Sequence, residues 1–131
     1  MAANTSPIFE ATPWTKGCQL TNATGTTKTL VISAGTNGSR IDQIACSTTD
    51  TAAETLSFWA YDGSSVYYHL GDVSLAIGAG YTTVGRVDAI ATLSPALGYV
   101  VLQSGFSLYV SVGTAVTSGK QTDIVAQGGD F

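Results

Sequence analysis

The sequence is short of charge, of strong helix formers and of the residues that most often do chemistry. Charged side chains make up 11% of its 131 positions, with only two Glu, three Lys and two Arg. The cations are scattered over Lys16, Lys28, Arg40, Arg86 and Lys120. No basic stripe exists to follow a phosphate backbone, and nucleic acid is not an expected partner. No apolar run approaches the length of a membrane-spanning helix, so no membrane is expected either. There is one His and there are two Cys, with no Cys-x-x-Cys pair and no calcium-loop spacing of acids. That set lacks the donors of a metal site, and no cofactor is expected. Met1–Ser6 carries neither the basic nor the apolar region of a secretory signal. The chain is therefore expected to be made and kept in a cytoplasm, with Cys18 and Cys46 as buried or idle thiols.

What is abundant is Ser, Thr, Gly and apolar residues, the last at 44%. This composition favours strands and turns over helices, within one domain able to bury an ordinary core. Residues 1–27 hold Pro7 and Pro13 and show no sustained period; they read as an arm with one short strand near Trp14–Leu20. From Lys28 onward short strands alternate with turn signals: Lys28–Ser33, Arg40–Thr48, Glu54–Tyr61, Val66–Leu70, Val73–Ile77, Arg86–Leu93, Tyr99–Leu102, Phe106–Val112 and Gln121–Gln127. In Arg40–Thr48 the apolar positions are Ile41, Ile44 and Cys46, a broken alternation that predicts a bulge. Asp62-Gly63-Ser64-Ser65 predicts a hairpin turn. About eight or more strands at this spacing predict an all-β antiparallel sandwich or jelly roll over 28–131.

Faces follow from the two-residue period. Phe106, Leu108, Val110 and Val112 share a core face, which turns Ser107, Tyr109 and Ser111 outward. If Leu56, Phe58 and Ala60 point inward, Trp59 and Tyr61 stand outside. Large outward aromatics on a small sandwich indicate an interface, with a double-faced core and sugar stacking as the alternatives. In the arm, Ile8, Phe9 and Trp14 either fold back over the core edge or clasp a neighbouring subunit. The expected contact residues are thus Ile8, Phe9, Trp14, Trp59, Tyr61 and Tyr109, together with the terminal Phe131.

The search for catalysis finds no anchor. His69 is the lone histidine, and no Gly-x-Ser-x-Gly elbow accompanies it. The acids Asp42, Asp50, Glu54, Asp62, Asp72, Asp88, Asp123 and Asp130 fall in turns and outward strand positions, where turn chemistry and solubility explain them. Gly113-Thr-Ala-Val-Thr-Ser-Gly119-Lys120 imitates a phosphate-binding loop. It has five residues between the glycines and Gln121 where Ser or Thr must hold magnesium, and it joins two strands. Gly128-Gly129-Asp130-Phe131 imitates the signature of cyclic-dinucleotide synthases, but the chain stops where that motif continues. No enzyme and no small-molecule substrate are expected.

Two sets of segments carry a resemblance. One is Arg40-Ile-Asp-Gln-Ile44, Ser47-Thr-Thr-Asp-Thr-Ala-Ala53, Trp59-Ala-Tyr-Asp-Gly63 and Leu70-Gly-Asp-Val-Ser-Leu75. The other is Gly105-Phe-Ser-Leu-Tyr-Val-Ser-Val112, Ala115-Val-Thr-Ser-Gly-Lys120 and Val125-Ala-Gln-Gly-Gly-Asp-Phe131. In this order, over about residues 28–131, they resemble small virion proteins of tailed bacteriophages. The resemblance implies a jelly-roll-like decoration, or cement, protein on the outside of the icosahedral head. Its partner would be the major capsid protein, its form a symmetric homo-oligomer (dimer or trimer), and its location the outer capsid surface after assembly in the host cytoplasm. Neck, tail or baseplate membership and a sugar-binding module for host attachment are the alternatives. Related chains often carry a longer insertion at Leu93–Gly98, and the arm at 1–27 has no counterpart. Finally, Phe106–Val112 and Gln121–Gln127 read as a hairpin, after which Gly128 and Gly129 turn the backbone sharply so that Phe131 latches onto its own domain or a neighbour.

Overall fold

A computed structural model describes residues 10–131. The chain forms two antiparallel sheets packed face to face, the all-β sandwich that the alternation predicts. The strands are β1 (Thr12–Thr21), β2 (Thr29–Ser33), β3 (Ser39–Thr48), β4 (Glu54–Tyr61), β5 (Tyr67–Leu75), β6 (Val87–Asp88), β7 (Val100–Leu102), β8 (Ser107–Val112) and β9 (Gln121–Asp130). A single helical turn, α1 (Ile90–Leu93), follows β6. One sheet runs β1-β9-β3, with β6 and β7 both pairing the far edge of β3; the other runs β2-β8-β4-β5.

The two-residue period sets the layers. Leu56 and Phe58 on β4, Leu108 and Val110 on β8, and Ile124 and Ala126 on β9 all lose their surface to the core between the sheets. On β3, Ile41 lies opposite Gly128 and Gln43 opposite Gln127, which leaves Asp42 as the extra residue of a bulge. The bulge was predicted, and its effect is visible: Ile41, Ile44 and Cys46 all face inward despite their uneven spacing. Cys18 and Cys46 both pair with Ile124, from opposite sides. Two strand spacings, about 9–10 Å, therefore separate them, beyond disulfide reach. Burial pushes the Cys18 thiol up to about 11 and the Cys46 thiol to about 12, so both are inert.

Several expectations need correction. The strand expected near Trp14–Leu20 is present but longer: Thr12–Thr21 is a full edge strand, paired with β9 along its whole length and followed by a 3-10 turn at Asn22–Thr24. Val66–Leu70 and Val73–Ile77 are one strand, because Gly71-Asp72 is absorbed beside a bulge at Leu70: Phe58 pairs with Gly71 and Trp59 with His69. Arg86–Leu93 holds only a two-residue strand, since the Asp88 carboxylate accepts the N–H groups of Ile44 and Ile90 (both 3.1 Å) and starts a helical turn instead. The expected hairpin of Phe106–Val112 with Gln121–Gln127 does not exist. β8 lies between β2 and β4, whereas β9 fills the centre of the opposite sheet, so residues 113–120 cross between layers.

The two C-terminal glycines do not turn the chain. β9 continues through them to Asp130, pairing with β1 on one side and β3 on the other. A Cβ on Gly128 would run into the Arg40 carbonyl oxygen, and one on Gly129 would lie 2.8 Å from a Glu10 carboxylate oxygen. Close approach of neighbouring chain, not a bend, is what requires glycine here.

Candidate functional site

The outer face of the four-stranded sheet gathers the aromatics. β4 presents Trp59 and Tyr61, β8 presents Tyr109, and the hairpin register brings Tyr67 opposite Tyr61. Tyr61 and Tyr67 stack with ring centroids 4.4 Å apart, and Tyr109 meets them edge-on at 5.6 and 5.3 Å. Trp59 donates its indole N–H to Ser111 Oγ (3.0 Å), which fixes the ring. The Lys28 ammonium lies 4.4 Å from the Trp59 centroid and 5.1 Å from that of Tyr67. Cross-strand aromatic pairs of this kind are each worth roughly 0.2–1 kcal/mol, and a surface cation–π contact adds about as much. The result is a rigid, flat face with little side-chain entropy left to lose on binding.

Beside it, Ser57, Asp72 and His69 are grouped. Ser57 Oγ donates to Asp72 Oδ1 (2.6 Å), and His69 Nε2 lies 2.8 Å from the same oxygen. The Ser57 hydroxyl, then His69, hold the Asp72 carboxyl below its ordinary value. This is not a nucleophilic relay, because there the imidazole stands between hydroxyl and acid and takes the hydroxyl proton. Here the carboxylate stands between them and leaves Ser57 unactivated.

The structure divides the predicted contact residues. Trp59, Tyr61 and Tyr109 come together on this face, joined by Tyr67 and Lys28, which the sequence did not single out, and by His69, which it named only as the lone histidine. The alternation of Tyr67 and His69 within Val66–Leu70 was the available signal. Trp14 and Phe131 instead belong to the end of the sandwich. Trp14 donates its indole N–H to Asp130 Oδ1 (2.9 Å), Ser39 Oγ donates to the same oxygen (2.5 Å), and Ser39 Oγ accepts the Gly35 N–H (2.9 Å). The Ser39 bond is the first cause of an Asp130 carboxyl held below its ordinary value. Phe131 follows, its N–H donating to the Gly38 carbonyl (3.2 Å). Gly38, at φ +92°, closes a turn over Gly35–Gly38, its N–H donating to the Gly35 carbonyl (3.0 Å). Ile8 and Phe9 lie outside the described residues.

At the opposite end two acids are buried, against the expectation of turn and surface positions. Asp50 is 2% exposed and Glu54 7%. Glu54 Oε2 accepts from Thr122 Oγ1 (2.7 Å), which also meets Thr48 Oγ1 at 2.9 Å. Glu54 Oε1 is buried and meets no hydrogen-bond partner among the described residues, and the Asp50 carboxyl is its acidic neighbour. Burial, and then the neighbouring Asp50, push the Glu54 carboxyl up to about 7. Burial works against ionised Asp50 too, but hydrogen bonds from Thr117, Glu54 and Ala52 outweigh it and hold that carboxyl at about 2. The pair therefore ties the 49–53 turn to the 113–120 crossover and to β9. Carboxylates four residues apart around a turn carried no sequence signal for this.

Comparison of the chain with protein-family models, with curated proteins and with solved structures finds no match.

Proposed function

We propose that the chain is a non-enzymatic structural protein of a tailed-bacteriophage virion. Its place is the outside of the icosahedral head, where it acts as a decoration protein that holds neighbouring major capsid protein subunits together. The observation that carries the reading is the preordered aromatic face of Trp59, Tyr61, Tyr67 and Tyr109 on a rigid two-sheet frame. A cement protein works by many modest contacts repeated by symmetry, so it gains from a stiff module and from avidity more than from one tight site. The segment resemblance over about residues 28–131 supplies the virion context, and a net charge of −4 suits an exterior surface better than one beside DNA.

The same face weighs against the sugar-binding alternative. Tyr61 and Tyr67 cover each other, and Lys28 lies over Trp59, so the ring planes a pyranose would need are occupied. Binding to purified expanded heads is the test, with stoichiometry tied to shell symmetry and greater resistance to heat or osmotic shock as the expected outcome. Recovery of the protein from tails but not heads would overturn the head assignment. Glycan binding lost on Trp59→Ala would overturn the structural one.

A further inference from the structure

The edge strand β5 is the long sheet edge that lacks protection. Among the described residues it pairs with β4 on one side and with no strand on the other. The other long edge, β1, carries Pro13 and Lys16, which discourage a further strand, and β2, β6 and β7 are short. β5 holds neither proline nor lysine, and its first half exposes Tyr67, Tyr68 and Leu70, with Val66 just ahead of them. Apolar side chains thus stand on both faces of an open strand, and its outward backbone groups are a template for a further strand.

The inner face of this edge borders an opening between the sheets. Tyr68 lies opposite Ala60 on β4, and Ala60, Leu70, Val101 and Phe106 line a cleft of about 350 Å³ towards β7. Tyr68 therefore belongs to the inner face, yet 53% of its surface is exposed. The bulge at Leu70 turns that side chain into the cleft, while His69 stays on the outer face beside Trp59. An apolar cleft wall and an uncovered inward ring are thus near neighbours on one strand. A two-fold axis through His69 exchanges them. It sets Tyr68 of each copy opposite Leu70 of the other, with Cβ atoms about 4.5–5.5 Å apart.

Charge and area both suit a second copy. The charged groups of β5 are His69 and Asp72, and they already meet each other at 2.8 Å. Two chains of net charge −4 therefore approach along this edge without an unpaired like charge between them. Taking about 200 Å² for a ring, the exposed side chains of the edge and cleft mouth amount to roughly 500 Å² per copy. Two copies together bury about 1,000 Å², the lower bound of a specific interface.

We propose that β5 pairs antiparallel with β5 of a second copy about an axis at His69, so that each Tyr68 ring fills the mouth of the other copy's cleft. The two four-stranded sheets become one continuous sheet, with both aromatic faces on the same side. A strand of another protein would meet the same backbone groups, but a second copy also brings Tyr68 against Leu70 from both directions. The dimer does not rest on the virion reading.

Sedimentation of the full chain up to about 1 mM tests it. The expected species has twice the chain mass and dissociates on dilution. Tyr68→Lys should stay monomeric while its circular dichroism keeps the wild-type strand signal. Val125→Lys, which adds the same charge on the outer face of the other sheet, should keep the dimer. His69→Cys reads the register: opposed Cα atoms about 4.5–5.5 Å apart lie within disulfide reach, so mild oxidation should link two chains, whereas Ser74→Cys should stay unlinked. A monomer throughout, which leaves the edge to a strand of another protein, or a dimer that Tyr68→Lys leaves intact would overturn the proposal. So would linkage through Ser74→Cys without linkage through His69→Cys.

Discussion

The buried Asp50–Glu54 pair makes stability depend on pH in a window where few surface groups titrate, and Glu54→Gln should remove that dependence. The Glu54 carboxyl rises from its ordinary 4.5 to about 7 in the fold, so the folded state holds its proton more tightly than the unfolded chain. The associated stability is complete below about pH 4.5 and is lost as pH climbs through about 7. At about 1.4 kcal/mol per pH unit of displacement, the loss comes to about 3 kcal/mol. For a domain of this size that is roughly a 10 °C fall in Tm between pH 5 and pH 8. Asp50 behaves oppositely: its carboxyl lies at about 2 against an ordinary 3.8, so its contribution is present above 3.8 and disappears as pH falls through about 2. The pair therefore favours the fold most near pH 4. Glutamine keeps an acceptor for Thr122 and a donor for Asp50 without a charge. Thermal melts of both proteins from pH 4 to 9 are the assay. Parallel profiles for wild type and Glu54→Gln, or a Glu54 side-chain carbon resonance that titrates below pH 5, would refute the raised Glu54 carboxyl.

Trp59→Ser should cost capsid attachment far more than folding, because the indole lies on the outer face with Ser111 and Lys28; unchanged affinity for heads at unchanged Tm would count against the aromatic contact face. Gly128→Ala should destabilise by about 1–3 kcal/mol in chemical denaturation, since its Cβ meets the Arg40 carbonyl in the middle of a sheet. Asp130→Ala should cost about 1–3 kcal/mol, because it strips the Trp14 indole and Ser39 hydroxyl of their shared acceptor. Phe58→Ala should cost about 3–5 kcal/mol, as expected for a ring fully enclosed between the sheets.

The sequence by itself determined whatever depends on neighbours along the chain. The two-residue period of Leu56–Ala60 and Leu108–Val112 placed those side chains in the core. The irregular spacing of Ile41, Ile44 and Cys46 gave the bulge at Asp42, and Asp62-Gly63 gave the β4–β5 turn, where Asp62 Oδ1 accepts three successive N–H groups from Ser64, Ser65 and Val66. The outward aromatics Trp59, Tyr61 and Tyr109 were legible for the same reason, since facing is a local property of a strand.

Only the tertiary structure decided which strand meets which. Adjacent β8 and β9 looked like a hairpin, yet β9 pairs with β1 and β3, more than seventy positions away along the chain. Period and turn chemistry say nothing about such partners. The same gap hid the use of the final glycines, which serve contacts with Arg40 and Glu10 rather than a bend. It also hid the acid pair, because Asp50 and Glu54 are enclosed by Thr117 and Thr122, which arrive from nearly seventy positions further along the chain. Faces are written at short range; the enclosure that buries two turn acids beside each other is made only when the two sheets close.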